Sequence, residues 1–238
     1  MMNNTKTPVI EKKVLLPFIL VTSLFALWGF ANAVTDPMVQ AFKKVLELSN
    51  SEAAWVQMAF YGGYFCMALP AAMFMRKYSY KVGILIGLAL YATGALLFYP
   101  AASYRVFGIF MLAYFILAGG MTILQVAANP FVAVLGSEDG ASSRLNLSQA
   151  FNSLGTAIAP AVGALFILSD TIKTESEIAS LSETAKETYL ASEASAVQTP
   201  FLGLALFIGF IAVIFLFAKL PKMMSEKSTG RYFEAFKN

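Results

Sequence analysis

The stretch VLLPFILVTSLFALWGFANAVTDP, residues 14–37, decides the fold class. Its first 22 residues carry no Asp, Glu, Lys or Arg. A helix needs about 20 mostly apolar residues to cross the hydrocarbon core of a bilayer. A cleaved signal peptide is the competing reading, because Lys12 and Lys13 precede the run and Ala31-Asn32-Ala33 fits an A-x-A site. The run exceeds the roughly 7–15 residue apolar core of such peptides. It also contains Thr22, Ser23 and Trp28, so it reads as a membrane span.

Five more charge-free runs follow, at residues 53–75, 82–104, 106–137, 145–169 and 194–218. Together the six occupy 150 of 238 residues. The composition agrees: 58% hydrophobic and 13% charged, with mean hydropathy +0.67. Soluble domains carry about 45–50% apolar and about 25% charged residues. A β-barrel would show short alternating segments instead. The expectation is an all-α membrane protein with six transmembrane helices, spanning about 14–42, 53–75, 82–104, 106–135, 145–169 and 194–218. Residues 1–13 form a tail, 170–193 an outer loop with a short solvated helix, and 219–238 a tail or the start of a central loop. Lys and Arg collect on the cytoplasmic side of membrane proteins. The face bearing both termini holds 12 of them and the opposite face 5, so both ends are expected in the cytoplasm, in a bacterial inner membrane.

Absences narrow the function. There is no histidine, which removes Ser-His and Cys-His catalytic pairs and His-ligated zinc. One cysteine, Cys66, permits no internal disulfide and reads as a packing residue. A net charge of +3 without a basic domain gives nucleic-acid binding no support. No enzyme activity, metal or cofactor is expected.

Polar side chains inside a span usually face protein or a water-filled cavity, and residues three or four apart share a helix face. The first span carries Trp28, Asn32 and Asp36. The second carries Gln57, Tyr61 and Tyr64, and the fourth Thr122, Gln125 and Asn129. The fifth carries Asn146, Gln149, Asn152, Ser153 and Thr156. Any one of these residues could be interhelical glue. Four stripes, with none in the third and sixth spans, look like the wall of a polar pathway. Asp36-Pro37 and Asn129-Pro130 fall at matching places in spans one and four. Proline disfavours helix at the preceding residue, so helix breaks and a three-plus-three repeat are expected there. Asp36 is the only acid between Glu11 and Glu47. Burial would raise its pKa toward neutrality, as proton coupling needs. It sits either at the outer interface or, if the first span runs on through Ala41-Phe42, inside the helix. Gly83 and Gly87 form a GxxxG pair suited to helix packing. Arg76, Lys77 and Lys81 read as topology charges.

Several stretches together resemble one family. They are Ser23-Leu24-Phe25-Ala26-Leu27-Trp28, Asn32 to Asp36, Ala59-Phe60-Tyr61-Gly62-Gly63-Tyr64-Phe65, and Ser79-Tyr80-Lys81-Val82-Gly83. To these add Ala127-Ala128-Asn129-Pro130-Phe131, Arg144-Leu145-Asn146-Leu147, Gln149-Ala150-Phe151-Asn152-Ser153 and Val197-Gln198-Thr199-Pro200. The chain is similar in these to the N-terminal half of fucose–proton symporter-type sugar transporters of the major facilitator superfamily. The resemblance implies twelve spans in two six-helix halves, a sugar site between them, and alternating access. It implies Asp36 as the proton-carrying group and Gln149 and Asn152 as sugar contacts. The position two residues before Ala-Ala-Asn-Pro is a glutamate in the fucose symporter. Gln125 stands there and cannot titrate. Met75 likewise stands where the superfamily's loop signature has an acid.

The expected activity is therefore proton symport of a monosaccharide: a hexose, a deoxyhexose or an N-acetylated sugar. The proton couples at Asp36, with Gln125, Gln149, Asn152, Asn129, Asn32, Trp28, Gln57 and Tyr61 lining the site. Expected partners are the sugar, the proton, the bilayer, and a missing C-terminal six-helix half, or a second copy if the chain is complete. The alternative is a six-span sugar sensor or scaffold that binds without transporting.

Overall fold

The computed structural model describes residues 10–166, 177–178 and 180–221, without the side chains of residues 35–38, 41, 44–45, 163–166 and 196–197. Among the described residues it is all helix and turn. The six long helices are α1 (Leu15–Val45), α2 (Asn50–Met75), α3 (Tyr80–Tyr104), α4 (Phe107–Val134), α5 (Ala141–Phe166) and α6 (Glu183–Phe217). Five are long and apolar enough to cross a membrane. The exception is α5, whose first half is rich in Ser, Asn and Gln.

In lipid, burying apolar surface gives little force between helices, so close packing has to hold a bundle together. α4 is the most enclosed helix. α3 and α2 flank it, α6 packs on α3, and α5 packs on α1. An aromatic cluster ties α1, α3, α4 and α6 together: Phe42 stacks on Phe110 at 3.9 Å and Phe98 on Phe201 at 4.2 Å. Gly83 meets Met75 and Ala127, and Gly87 meets Leu124 and the Gly120 backbone, so this pair does pack helices. The closest approach is between α1 and α5. A Cβ at Gly29 would overlap the Asn152 carbonyl, and one at Gly155 the Ala26 carbonyl.

The proline expectation is corrected. α1 continues through Pro37 to Val45 and α4 through Pro130 to Val134. Pro70, Pro100, Pro160 and Pro200 also lie inside helices, so proline does not mark special positions here. Membrane helices tolerate proline when side chains and neighbours satisfy the freed backbone. In α4 the Asn129 amide donates to the Gln125 carbonyl at 3.0 Å, adding a bond in the turn that proline weakens.

The region expected as an outer loop also differs. Residues 183–193 are not a separate loop helix but the first turns of α6, whose 35 residues reach about 52 Å at 1.5 Å per residue. A hydrocarbon core of about 30 Å leaves those turns outside it. There Arg105 pairs with Glu187 and Lys186 with Glu47, each at 2.5 Å. Arg105 and Glu47 are the two non-glycine residues with positive φ among the described residues, both 49°. Both sit in tight turns at helix ends, where left-handed backbone is common. The hydrogen bond and charge of Arg105 hold the Glu187 carboxyl below the usual carboxylate range. Residues 170–176 and 222–238 lie outside the described residues.

On the opposite side, two basic residues have specific partners. Lys81, read as a topology charge, donates from Nζ to the carbonyls of Leu216 (2.9 Å) and Ala218 (2.8 Å) at the end of α6. Arg144 is fully buried and donates to the carbonyls of Val132 (3.1 Å), Ala133 (2.5 Å) and Ser137 (2.9 Å) at the end of α4. A cation at a helix C-terminus meets both the free carbonyls and the negative end of the dipole.

Candidate functional site

Polar residues from α1, α2 and α4 converge at one place. Gln125 Nε2 donates to the Tyr64 hydroxyl at 3.0 Å, and that hydroxyl donates to Asn32 Oδ1 at 3.4 Å. Three helices are thus joined by a chain of neutral groups. Helical periodicity explains the geometry. Asn32 is one turn from Trp28 on α1, and Asn129 is one turn from Gln125 on α4. The Trp28 Nε1–H is buried and makes no hydrogen bond among the described residues. The Tyr64 hydroxyl is its neighbour, so it borders the same cluster. Gln57 and Tyr61 are exposed on α2, and Gln149 is exposed on α5.

Other stripe residues do something else. Asn152 Nδ2 donates to the Phe25 carbonyl at 3.1 Å. Thr156 Oγ1 donates to the carbonyls of Gly29 (3.2 Å) and Asn152 (3.1 Å). The bonds to Phe25 and Gly29 fasten α5 to α1 where the glycines let the backbones touch. Thr122 turns back onto its own helix, to Ala118, at 2.8 Å. So part of the α5 stripe is interhelical glue. Asn152 is half-buried, with one amide hydrogen committed to α1.

The backbone at Asp36 is helical, nine residues before the end of α1, which places it inside the helix. Its side chain lies outside the described residues. Cys66 is exposed on α2 rather than packed. One further residue escaped the sequence reading, and the role of another did. Ser148 is fully buried and shares a 3.0 Å hydrogen bond with Thr22, a second polar link between α1 and α5. Tyr64 was visible in the α2 stripe, but only the distances make it the centre of the cluster.

A large groove lies elsewhere. It opens between α1, α5 and α6 with a volume of about 740 Å³. Its walls include Phe30, Ile158, Leu204 and Phe207 and offer almost no polar atoms. A polyhydroxylated ligand would lose its water there and gain no hydrogen bonds. The polar face of α1, α2 and α4 is the better candidate.

Residues 18–236 match the sequence profile of the Major Facilitator Superfamily. The chain is 42% identical over 226 residues to the L-fucose-proton symporter of Haemophilus influenzae, covering 92% of this chain and 53% of that protein. It is 43% identical over 206 residues to a glucose/galactose transporter of Brucella abortus, covering 87% and 47% respectively. A crystal structure of the transporter FucP in the outward conformation superposes with a TM-score of 0.82 at 37% identity, covering 93% of this chain and 54% of that one. These relatives are transporters, not enzymes. The chain spans about half the length of the curated relatives it matches, and corresponds to their N-terminal half.

Proposed function

Since this chain belongs to the major facilitator superfamily, we propose that it forms the N-terminal wall of a monosaccharide–proton symporter. A second six-helix half, either following in the same protein or supplied by another copy, would close the site. The observation that carries this reading is the Asn32–Tyr64–Gln125 chain. It is a row of neutral donors and acceptors on three helices. Such groups can exchange hydrogen bonds with sugar hydroxyls without holding a charge that would trap a neutral substrate. The named substrates of the relatives, fucose and glucose or galactose, share that chemistry.

In this reading Trp28 offers its ring to the sugar. Gln125 and Asn129 give hydrogen bonds from the inner wall, with Asn32, Gln57, Tyr61 and Gln149 at the open side. Asn152 has one amide hydrogen committed to α1 and its remaining capacity available to substrate. Asp36 carries the proton. Gln125 cannot titrate, so this half couples through Asp36 alone. Both termini face the cytoplasm, as the Lys and Arg asymmetry favours.

The test is a radiolabelled sugar panel in cells expressing the full-length gene product, with external pH recorded. Uptake of at least one hexose, deoxyhexose or N-acetylated sugar with alkalinisation is expected. Saturable sugar binding without uptake would replace this reading with that of a sensor.

A further inference from the structure

We propose that residue 125, acting through the Tyr64 hydroxyl, sets which edge of the Asn32 amide faces the substrate. The inference deepens the carrier reading above and rests on it for the identity of the ligand. It makes Tyr64 a positioning residue and position 125 a determinant of specificity at a distance, on a helix other than its own.

The direction of each hydrogen bond follows from where the protons are. A primary amide nitrogen donates and does not accept. Gln125 Nε2 donates to Tyr64, so the phenol oxygen accepts and its single proton passes on to Asn32 Oδ1. With Oδ1 turned inward, Asn32 presents Nδ2 and its N–H donors to the exposed side, where this residue lies. A carboxylate at 125 reverses every link. It has no proton to give, so Tyr64 must donate to it. The phenol oxygen then has only lone pairs left for Asn32, and the amide turns over, with Nδ2 inward and Oδ1 outward. One Gln-to-Glu exchange on α4 converts a donor on α1 into an acceptor, with no direct contact between residues 125 and 32 required.

A sugar hydroxyl satisfies either arrangement, because it both donates and accepts. Analogues that cannot donate do not. A fluorine or methoxy group in place of the hydroxyl that meets Asn32 can accept weakly from Nδ2 but offers nothing to Oδ1. A buried polar group left unpaired costs about 1–3 kcal/mol, roughly 5- to 150-fold in affinity.

The experiment uses the full-length protein in detergent at about pH 8, well above the ordinary carboxylate range. Binding is read by competition against a radiolabelled hexose. Monodeoxyfluoro hexoses are titrated against Gln125→Glu, Tyr64→Phe and the double variant. The expected result is one ring position whose fluoro analogue binds the parent but loses at least tenfold on Gln125→Glu, a loss absent in the Tyr64→Phe background. A loss of the same size in the Tyr64→Phe background would overturn the relay in favour of direct contact, as would no position-specific loss. A second readout needs no sugar. The Asn32 side-chain amide signals in 15N-asparagine-labelled protein, assigned with Asn32→Asp, should shift on Gln125→Glu when Tyr64 is present and stay put in the Tyr64→Phe background. Shifts that ignore residue 64 overturn the relay. If the amide signals behave as expected and no sugar binds, the relay stands and the carrier reading falls.

Discussion

Replacing Arg144 should loosen the α4–α5 junction more than any other single change at that end of the bundle. Its guanidinium is fully buried and reaches three carbonyls, those of Val132, Ala133 and Ser137. Gly136 lies against it with φ +155°, and a Cβ there would meet Nη1 at 2.8 Å. The turn is therefore folded around the arginine. Arg144→Met keeps the length and removes all three donations. Each hydrogen bond to a charged group contributes about 1.5–3 kcal/mol, but carbonyls at a frayed helix end can recover water. With three such bonds lost and part of the loss recovered by water, the expected net loss is about 3–5 kcal/mol. Arg144→Lys keeps the charge on a shorter, single nitrogen that cannot fork to three carbonyls, and should lose about half as much. The assay is equilibrium unfolding in mixed micelles, with protease cleavage at residues 135–140 as a local readout. An Arg144→Met loss below about 1 kcal/mol, the size of one ordinary hydrogen bond, would show that the arginine does not hold this helix end.

Three further outcomes are expected. Gly155→Val should push α5 off α1 and cost at least about 1–3 kcal/mol, the usual penalty for overpacking, because the Ala26 carbonyl occupies the Cβ position; thermal unfolding in detergent checks it, and an unchanged midpoint counts against the close contact. The Arg105–Glu187 tie should weaken in acid. The folded carboxyl is held below its unfolded value, so its contribution is complete above the usual carboxylate range and disappears as pH falls through the lowered one. Hydrogen exchange at residues 183–193 should therefore accelerate below that range in the native protein and be pH-insensitive, beyond intrinsic exchange, in Glu187→Gln. Finally, Lys81→Met should fray the end of α6, seen as faster exchange at Leu216 to Leu220, since two carbonyls lose their donor.

The sequence exposed what depends on period and length. Six apolar runs gave six helices, because a bilayer imposes a minimum length that soluble folds do not. The stripes on α1, α2 and α4 met in space, since every fourth residue returns to one face. Which neighbour that face meets is a tertiary fact, so the bonds that Asn152 and Thr156 give to α1 could not be foreseen from the stripe. Arg144 and Lys81 entered the charge asymmetry by number alone, while their carbonyl partners depend on where two other helices end. Pro37 and Pro130 misled because local propensity was read without the surrounding helices that satisfy the backbone.

The proposed symport stands on a sugar and a proton moving together, with Asp36 carrying the proton. Sugar-induced alkalinisation and sugar counterflow, recorded side by side in cells expressing the full-length product, separate the two steps in wild type and Asp36→Asn. Wild type should show both. Asp36→Asn should retain counterflow, which needs only the sugar site, and lose alkalinisation and accumulation. Alkalinisation that persists in Asp36→Asn would contradict the assignment of the proton to this residue.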